Sequence, residues 1–313
     1  MDLEALPIIM PLTRRTERST AAVQWPTLAV ALAIHGGFVV LTLCFNRLPL
    51  FVGAPIGALL LAWYGSFQHE TIHGHPTRCK RFNRFLGSLP LSVWIPYAVY
   101  RETHLRHHRH RGRHLTEVDH DPESYYLPTG TLTRFGPLRR WIHSANCTLA
   151  GRLIFGPAIS ISTFAAGEWR RIVGGDRRRL LIWTRHAVGV GLVFTWTVAV
   201  CHIPAIVYLA LVVYPSVAVT QLRSFAEHHA HADPRQRTRV VEAHPLWGLI
   251  FLNNNLHIAH HAYPRLPWYQ LPGVWRRVRP AAWAHGLVFQ GGYWEVMRKY
   301  LFRRFIDLRH DAV

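Results

Sequence analysis

The chain has 313 residues, half of them hydrophobic, and carries 36 Lys and Arg against 17 Asp and Glu, a formal net charge of +19. A mean hydropathy of +0.06 at this charge requires apolar and basic residues to lie in separate blocks, which excludes a disordered chain and argues against an ordinary soluble enzyme. The apolar blocks also argue against nucleic acid as the partner of the basic residues. The four cysteines are scattered without a disulfide framework, which predicts reduced thiols.

The first 20 residues lack the short apolar core and small-residue cleavage site of a signal peptide, so none is predicted. Four later apolar runs approach the length of about 20 residues that a helix needs to cross a bilayer. They predict two transmembrane hairpins, with spans over about residues 25–45, 50–67, 186–203 and 205–222. Two shorter runs, Phe85–Tyr100 and Leu153–Ala165, are interrupted by prolines and predict re-entrant or interfacial segments.

The basic residues lie almost entirely on one side of this arrangement. Only Arg47 falls in a loop on the far side, so the positive-inside rule places both termini, residues 68–180 and residues 223–313 in the cytosol. The predicted fold is therefore an all-α integral-membrane protein, of the inner or cytoplasmic membrane if bacterial. It has four transmembrane helices and a cytosolic helical cap that carries the histidine clusters, in a single domain over residues 1–313.

Histidine accounts for 22 residues, and four clusters lie where the predicted spans meet the cytosol. The clusters are His69-Glu70-Thr71-Ile72-His73, His104-Leu105-Arg106-His107-His108, Glu227-His228-His229-Ala230-His231 and His257-Ile258-Ala259-His260-His261. Because residues three and four apart share a helix face, each cluster can direct two or three imidazoles at one point. Imidazole binds iron, zinc, copper or nickel, each ring through one nitrogen. Nine such rings exceed the four ligands of one tetrahedral zinc and match two metals of higher coordination number.

Carboxylates are scarce near these clusters. Glu70 and Glu227 each adjoin a clustered histidine on a different helix face, and both are candidates to orient an imidazole ring by accepting its hydrogen bond. Asp119 and Asp121 are further candidates, although a solvated acidic loop explains their stretch equally well. The remaining histidines, His114 and His120 among them, are assigned to surface, loop or outer positions because an isolated histidine near a membrane surface is usually only polar.

The clusters resemble the histidine boxes of the integral-membrane fatty acid desaturase superfamily, which also contains lipid hydroxylases and carotenoid ketolases. The matching stretches are HETIHGHP (69–76), HLRHH (104–108) and NNNLHIAHHAYP (253–264), and the resemblance covers about residues 25–270. It implies a non-haem di-iron centre with O2 as co-substrate. The implied iron ligands are His69, His73, His104, His107, His108, His228, His257, His260 and His261. His229 and His231 compete with His228, and Asn255 is a weak match to an asparagine that holds a water near one iron in some members.

The resemblance implies oxidation of an unactivated C–H bond in a lipid, with fatty acyl desaturation as the first expectation. Hydroxylation or ketolation of a carotenoid, sphingolipid or other long apolar substrate is the alternative. No cytochrome b5-like domain accompanies the boxes, so a separate electron donor is expected, such as a ferredoxin with its reductase, which a basic surface would attract. Acyl carrier protein would be attracted in the same way, and anionic lipid explains the charge equally well. A histidine-rich metal transporter is disfavoured because we expect no polar or ionisable group near the midplane of the predicted spans, with the histidines at span ends and beyond.

Overall fold

A computed structural model describes residues 22–109 and 113–308, and this part of the chain is mostly helical, with very little sheet. Its α-helices are α1 Trp25–Cys44, α2 Leu50–His73, α3 Lys80–Ser88, α4 Tyr97–His107, α5 Pro137–Ala145, α6 Leu149–Val173, α7 Arg177–Phe194, α8 Ala205–Val207, α9 Tyr214–Glu227, α10 Pro245–Ile250, α11 His257–Ala262, α12 Leu271–Ala284 and α13 Gly292–Tyr300. Two π-helical segments, Thr195–Val200 and Tyr208–Val213, extend α7 and join α8 to α9. Two short strands, β1 Val240–Val241 and β2 Val288–Phe289, pair in parallel. The N-terminal segment without a predicted signal peptide and both termini lie outside the described residues.

Two helical hairpins form the centre of the fold. The first consists of α1 and α2, and the second of α7 with its π-helical extension and the α8–α9 segment. Their turns lie together, since Asn46 Nδ2 donates a hydrogen bond to the Cys201 carbonyl at 2.8 Å. We call this the turn end (residues 45–49 and 201–204). The opposite end, where α2 and α9 finish, is the histidine end.

Within the residues that the structure describes, four helices are long and apolar enough to cross a membrane. They are Trp25–Arg47, Leu50–His73, Leu149–Val173 and Ala205–Glu227. Three of them overlap predicted spans, but the fourth is α6, where the sequence predicts an interfacial segment, and not the predicted span 186–203. The helix that contains the predicted span ends at Val200, so an 18-residue stretch of it must include Arg185 and His186, whereas Arg152 is the one charged residue in the first 18 positions of α6.

Contacts at the two ends of α6 show how this helix lies. Near its start, the Arg152 guanidinium lies 4.5 Å above the ring of Tyr125, whose hydroxyl donates to the carbonyl of His228. Near its end, Glu168 lies 3.6 Å from Arg179, which forms a 2.7 Å ion pair with a glutamate of α4. Both ends of α6 therefore lie at the histidine end, which fits a helix along the membrane surface. Residues 186–203 accordingly stay our predicted third span.

One histidine does lie inside the first hairpin. His35 Nδ1 donates to the Ala31 carbonyl at 2.7 Å, and its ring packs edge-on against Tyr64 and Phe67, with centroids 5.7 and 5.9 Å away. The expectation that the histidines lie only at span ends and beyond is therefore wrong for His35, which packs inside α1 and α2.

The apolar stretch Phe85–Tyr100 joins α3 to α4 through a loop that inserts among the other helices. Tyr208 Oη donates to the Leu91 carbonyl at 2.5 Å, and His186 Nε2 donates to the Val93 carbonyl at 2.8 Å. The loop is thereby held against the second hairpin, and α4 starts directly after it. This connection places the second histidine cluster beside the first.

The crossing of α3 over α2 depends on Gly87. A Cβ there would lie 2.3 Å from Thr71 Oγ1 and 2.8 Å from Tyr97 Cε2, and the Gly87 carbonyl is held by Gln68 Nε2 at 2.8 Å. Because Thr71 lies within the first histidine cluster, we expect Gly87→Ala to destabilise the protein by about 1–3 kcal/mol through overpacking. Its melting temperature in detergent should fall. The control Gly167→Ala meets nothing within 4 Å and should be neutral or slightly stabilising, so equal melting temperatures would contradict the prediction.

Candidate metal centre

All nine histidines predicted as ligands lie together at the histidine end. They form two groups, in each of which one side-chain nitrogen per ring lies within 4.8 Å of the others. Site A contains His69, His73, His104, His108 and His260, and site B contains His107, His228, His257 and His261. Most of these rings are buried and the rest are partly buried.

The two H-x-x-H-H clusters divide between the sites in complementary ways. On α4, the i, i+4 pair His104 and His108 faces site A, while His107 between them faces site B. On α11 the same pattern is reversed, since the outer pair faces site B and His260 faces site A. A spacing of four residues keeps two rings on one helix face, and the ring three residues after the first is rotated toward the neighbouring face. Each of these helices therefore serves both sites.

The imidazole Nε2 atoms converge within each site. The Nε2–Nε2 distances are 3.0 Å for His73–His104, 3.1 Å for His104–His108, 3.1 Å for His108–His260, 2.9 Å for His228–His257 and 3.1 Å for His257–His261. With metal–nitrogen bonds of about 2.0–2.1 Å, neighbouring donors lie about 2.9 Å apart at right angles and about 3.3 Å apart in a tetrahedron. The spacing therefore fits ions of five- or six-fold coordination better than tetrahedral zinc.

Hydrogen bonds on the outer side of two rings fix their protonation. Asp121 Oδ1 accepts from His107 Nδ1 at 2.8 Å, and Glu123 Oε1 accepts from His104 Nδ1 at 3.0 Å. A neutral ring that donates through Nδ1 presents a bare lone pair at Nε2. The two carboxylates thus orient both rings for metal binding and raise the basicity of their Nε2 atoms.

The facing lone pairs of site B show that this donor set fits a cation. His257 Nδ1 donates to the Asn254 carbonyl at 3.2 Å, and His228 Nδ1 lies 3.4 Å from the Arg237 carbonyl. Because a carbonyl can only accept, both rings carry their proton on Nδ1 and turn a lone pair toward the other at 2.9 Å. Two lone pairs at this distance repel each other unless a cation lies between them.

Some of the carboxylates predicted to orient imidazole rings lie against a ring in the structure, and one does not. Asp121 binds an imidazole as expected, and Glu227 Oε1 lies 3.4 Å from His257 Nδ1. For Glu70 the expectation is wrong, because its Oε2 accepts from the backbone amide of Trp268 at 3.2 Å. Glu70 faces away from the rings of its own helix, and its buried carboxylate holds the loop that follows the last histidine cluster.

The asparagine that lies beside the histidine rings is Asn254, the neighbour of the predicted Asn255. Asn255 Nδ2 donates to the Val241 carbonyl at 2.8 Å, which ties it to β1. Asn254 instead lies between the sites, with Nδ2 3.4 Å from His69 Nε2 and Oδ1 3.2 Å from His257 Nδ1. The sequence pattern singled out neither Asn254 nor Glu123. Their positions in the sequence could have identified both residues. Asn254 precedes a clustered histidine by one helical turn, and Glu123 follows Asp121 by two residues.

Of the three neighbouring histidines after α9, only His228 lies in a site. His229 Nδ1 donates to the Ala230 carbonyl at 2.8 Å, and its ring packs 5.2 Å from that of Phe305. His231 Nδ1 accepts from the backbone amide of Asp233 at 3.0 Å. The extended backbone of His228 at the end of α9 explains the division, since it turns the following residues away from the helix axis.

Comparison with known proteins agrees with this geometry. Residues 45–293 match the fatty acid desaturase family. The chain belongs to this family. A ceramide hydroxylase of Caulobacter vibrioides is 26% identical over 94% of this chain and 92% of its own length. A zeaxanthin 4-ketolase of Chlamydomonas reinhardtii is 25% identical over 70% of this chain, which spans only 42% of the ketolase.

Membership in the desaturase family has direct consequences. The protein is an oxidoreductase of the desaturase superfamily, a metal-dependent class of oxidases. Four helices of sufficient length and apolar character, together with a family that modifies lipids in membranes, indicate an integral membrane protein. The paired histidine sites lie within the matched residues.

Acid should destabilise the metal-free protein. Burial, reinforced by neighbouring histidines, lowers the pKa of His257, His260 and His261 far below the ordinary value, and that of His228 to about 3. In the unfolded chain these rings titrate near 6.5. Below about pH 6.5 the unfolded chain therefore binds protons that the folded chain does not bind. The free energy of unfolding should decrease as the pH is lowered through this range. His107 has the opposite effect on the pH dependence of stability. Burial lowers the pKa of its ring, but the nearby carboxylates outweigh burial and raise it.

The measurement is the melting temperature of chelator-treated protein between pH 7.5 and 5.5. We expect a fall across this interval, and a smaller fall after metal loading, because a bound ion keeps the rings unprotonated. A metal-free protein that melts at one temperature throughout would contradict the assigned burial of the rings.

Proposed function

We propose that this protein is a membrane oxidase that uses O2 to oxidise an unactivated C–H bond of a lipid, with one iron ion in site A and one in site B. The division of nine imidazoles into five and four, with Nε2 atoms converging in each group, is the observation that carries the proposal. The proposed ligands are His69, His73, His104, His108 and His260 at site A and His107, His228, His257 and His261 at site B. Bound iron would supply the activation of O2 and the removal of hydrogen from carbon.

The chain's own residues would set the conditions for that chemistry. Five rings at one site and four at the other leave coordination positions open at both for ions of six-fold coordination. Asp121 and Glu123 hold the Nδ1 protons of His107 and His104, which fixes the direction of both Nε2 lone pairs. Asn254 contacts a ring of each site and can position a water or substrate group between them.

The lipid chain would reach site A along α4. The ring of Tyr100 lies 5.9 Å from that of His104, and Tyr97 Oη is hydrogen-bonded at 2.9 Å to Thr71 within the first cluster. Trp94, just before α4, packs against the core of the two hairpins. We propose that these aromatic side chains line the path of an acyl or polyene chain to the metal site, because they join the membrane segments to the first and second histidine clusters.

Oxygen insertion is the outcome that we propose first. One known relative, which matches nearly the whole chain, is a ceramide hydroxylase, and another relative is a zeaxanthin ketolase. Fatty acyl desaturation, the expectation from the sequence, is the second candidate and rests on the family itself. Both outcomes begin with removal of one hydrogen. Return of oxygen to the same carbon gives an alcohol, whereas loss of hydrogen from the adjacent carbon gives a double bond, so the positioning of the chain decides between them.

The reduction of O2 requires electrons from another protein. We propose a small acidic donor such as a ferredoxin with its reductase, attracted by a surface that includes Arg106 and Arg109 next to His107. An acyl carrier protein would bind the same kind of surface if it delivers the substrate. We further propose that the histidine end faces the cytosol, because the basic residues of the sequence concentrate there.

The test is lipid mass spectrometry of bacteria that express the protein with a ferredoxin and its reductase, in hosts that make ceramides or carotenoids. A gain of sixteen mass units in wild type, absent in the His260→Ala variant, would establish hydroxylation, and a gain of fourteen ketolation. A loss of two would establish desaturation. A folded, iron-loaded wild-type protein that alters no lipid relative to His260→Ala would contradict the proposal.

A further inference from the structure

We infer that His114, Glu117 and His120 form a third metal site, separate from sites A and B, for an exchangeable divalent transition-metal ion. Their three ligand atoms lie within 4.8 Å of one another. The residues are spaced three apart in a loop between α4 and α5, and they belong to neither of the buried sites. The inference is independent of lipid oxidation, since it concerns binding alone.

The geometry is that of donors aimed at one point. Glu117 Oε2 lies 2.6 Å from His114 Nδ1 and 3.4 Å from His120 Nδ1. The two imidazole rings have centroids 4.8 Å apart and planes 24° apart, and the Nδ1 atoms of both rings face the same carboxylate oxygen. Tetrahedral donors around zinc lie about 3.3 Å apart. His120 already stands at that distance, and His114 reaches it by moving outward by about 0.7 Å.

The carboxylate at the centre of this group is held in place from behind. Arg237 Nη1 donates to Glu117 Oε1 at 2.8 Å and to the Leu115 carbonyl at 3.1 Å, and its side chain is only 3% exposed. The amide of Thr116 donates to Asp121 Oδ2 at 2.9 Å, which fixes the loop itself. Oε2 of Glu117 is therefore directed toward the two imidazoles. Because the carboxylate is already ordered, ion binding costs little further side-chain entropy, and this preorganisation favours affinity.

The surroundings favour an ion that exchanges with solvent. The side chains of His114, Glu117 and His120 are 42%, 23% and 62% exposed, and a surface cavity opens here. Its lining residues are Arg106, His107, Arg109, His114, Asp119, His120 and Asp121. With Arg237, three arginines balance the three carboxylates of Asp119, Asp121 and Glu117 around this cavity. Two imidazoles and one carboxylate select borderline ions such as Zn²⁺, Co²⁺ and Fe²⁺ over Mg²⁺ and Ca²⁺, and the remaining coordination positions are left to water.

The experiment is calorimetric titration of iron-loaded protein with Zn²⁺, with protein iron measured in the same samples. We expect one additional site per chain that binds without release of iron. His120→Ala and Glu117→Gln should each weaken it by about tenfold or more, and the glutamine still accepts the hydrogen bond from Arg237. The exposed histidine variant His285→Ala is the matched control and should bind like wild type. Absence of an additional site, displacement of iron by Zn²⁺, or equal binding by His120→Ala would each overturn the inference.

Discussion

Replacing His228 with Ala should abolish lipid oxidation, whereas the same change at the adjacent His229 should leave most of it. His228 contributes one of four imidazoles to site B, and its Nε2 lies 2.9 Å from that of His257. His229 lies outside both sites and packs against Phe305. The two variants remove the same side chain from neighbouring, partly buried positions, so a difference between them separates the loss of a metal ligand from the loss of a packed histidine ring.

The iron content gives a second measurement of the same prediction. We expect about two iron ions per wild-type chain, a marked loss from site B in His228→Ala, and a corresponding loss from site A in His260→Ala, because a missing ligand weakens the ion that it holds. Melting temperatures of all three variants show whether each one is folded. An active His228→Ala, or a folded His229→Ala that is equally inactive, would contradict the assignment of the ninth ligand.

The positions of the nine histidines could be predicted because their spacing is a local property of the helix. Rings four residues apart on α2, α4 and α11 share a face wherever the helix is placed. The division of α4 and α11 between two sites could not be predicted in this way. It depends on how the two helices are rotated toward each other, and that rotation is set by tertiary packing. The sequence therefore indicated two metals but not which ring serves which one.

The residues that orient the rings were harder to predict, because they lie in loops. Leu252 and Asn253 adopt left-handed φ values of 48° and 53°. Helical periodicity therefore cannot be extrapolated across them to predict where the side chains of Asn254 and Asn255 point. The sequence pattern thus indicates Asn255, whereas the asparagine beside the rings is its neighbour Asn254. Glu70 lies on a regular helix, but its partner is the backbone of a distant loop. Sequence spacing carries no information about such a contact.

Membrane crossing was predicted from length and composition, and α6 shows the limit of that criterion. Its 25 residues are apolar enough to span a bilayer. Two charged side chains, Arg152 and Glu168, nevertheless tie its two ends to the same end of the bundle. A helix along the membrane surface and a helix across the membrane can have the same mean hydropathy. Only the partners of their ends distinguish them.

The second large effect is expected at the carboxylate that binds His107. Asp121→Asn should lower iron affinity at site B and turnover by about ten- to a hundredfold, the usual cost of losing such an outer partner. The aspartate accepts from His107 through Oδ1 and from the Thr116 amide through Oδ2. A neutral asparagine keeps only one acceptor atom. It must leave one of these donors unpaired or turn its own amide toward the imidazole, which favours the tautomer with its proton on Nε2.

Asp119→Asn is the matched control, because it removes the same charge from an exposed position two residues away. The two variants remove the same formal charge from the loop, but only Asp121→Asn changes the hydrogen bond to His107. Competition with a chelator measures iron affinity, and lipid mass spectrometry measures turnover. If both variants lose affinity equally, the effect of Asp121 is general electrostatics. If Asp121→Asn alone loses it while melting like wild type, the carboxylate acts through the proton that it holds on His107 Nδ1.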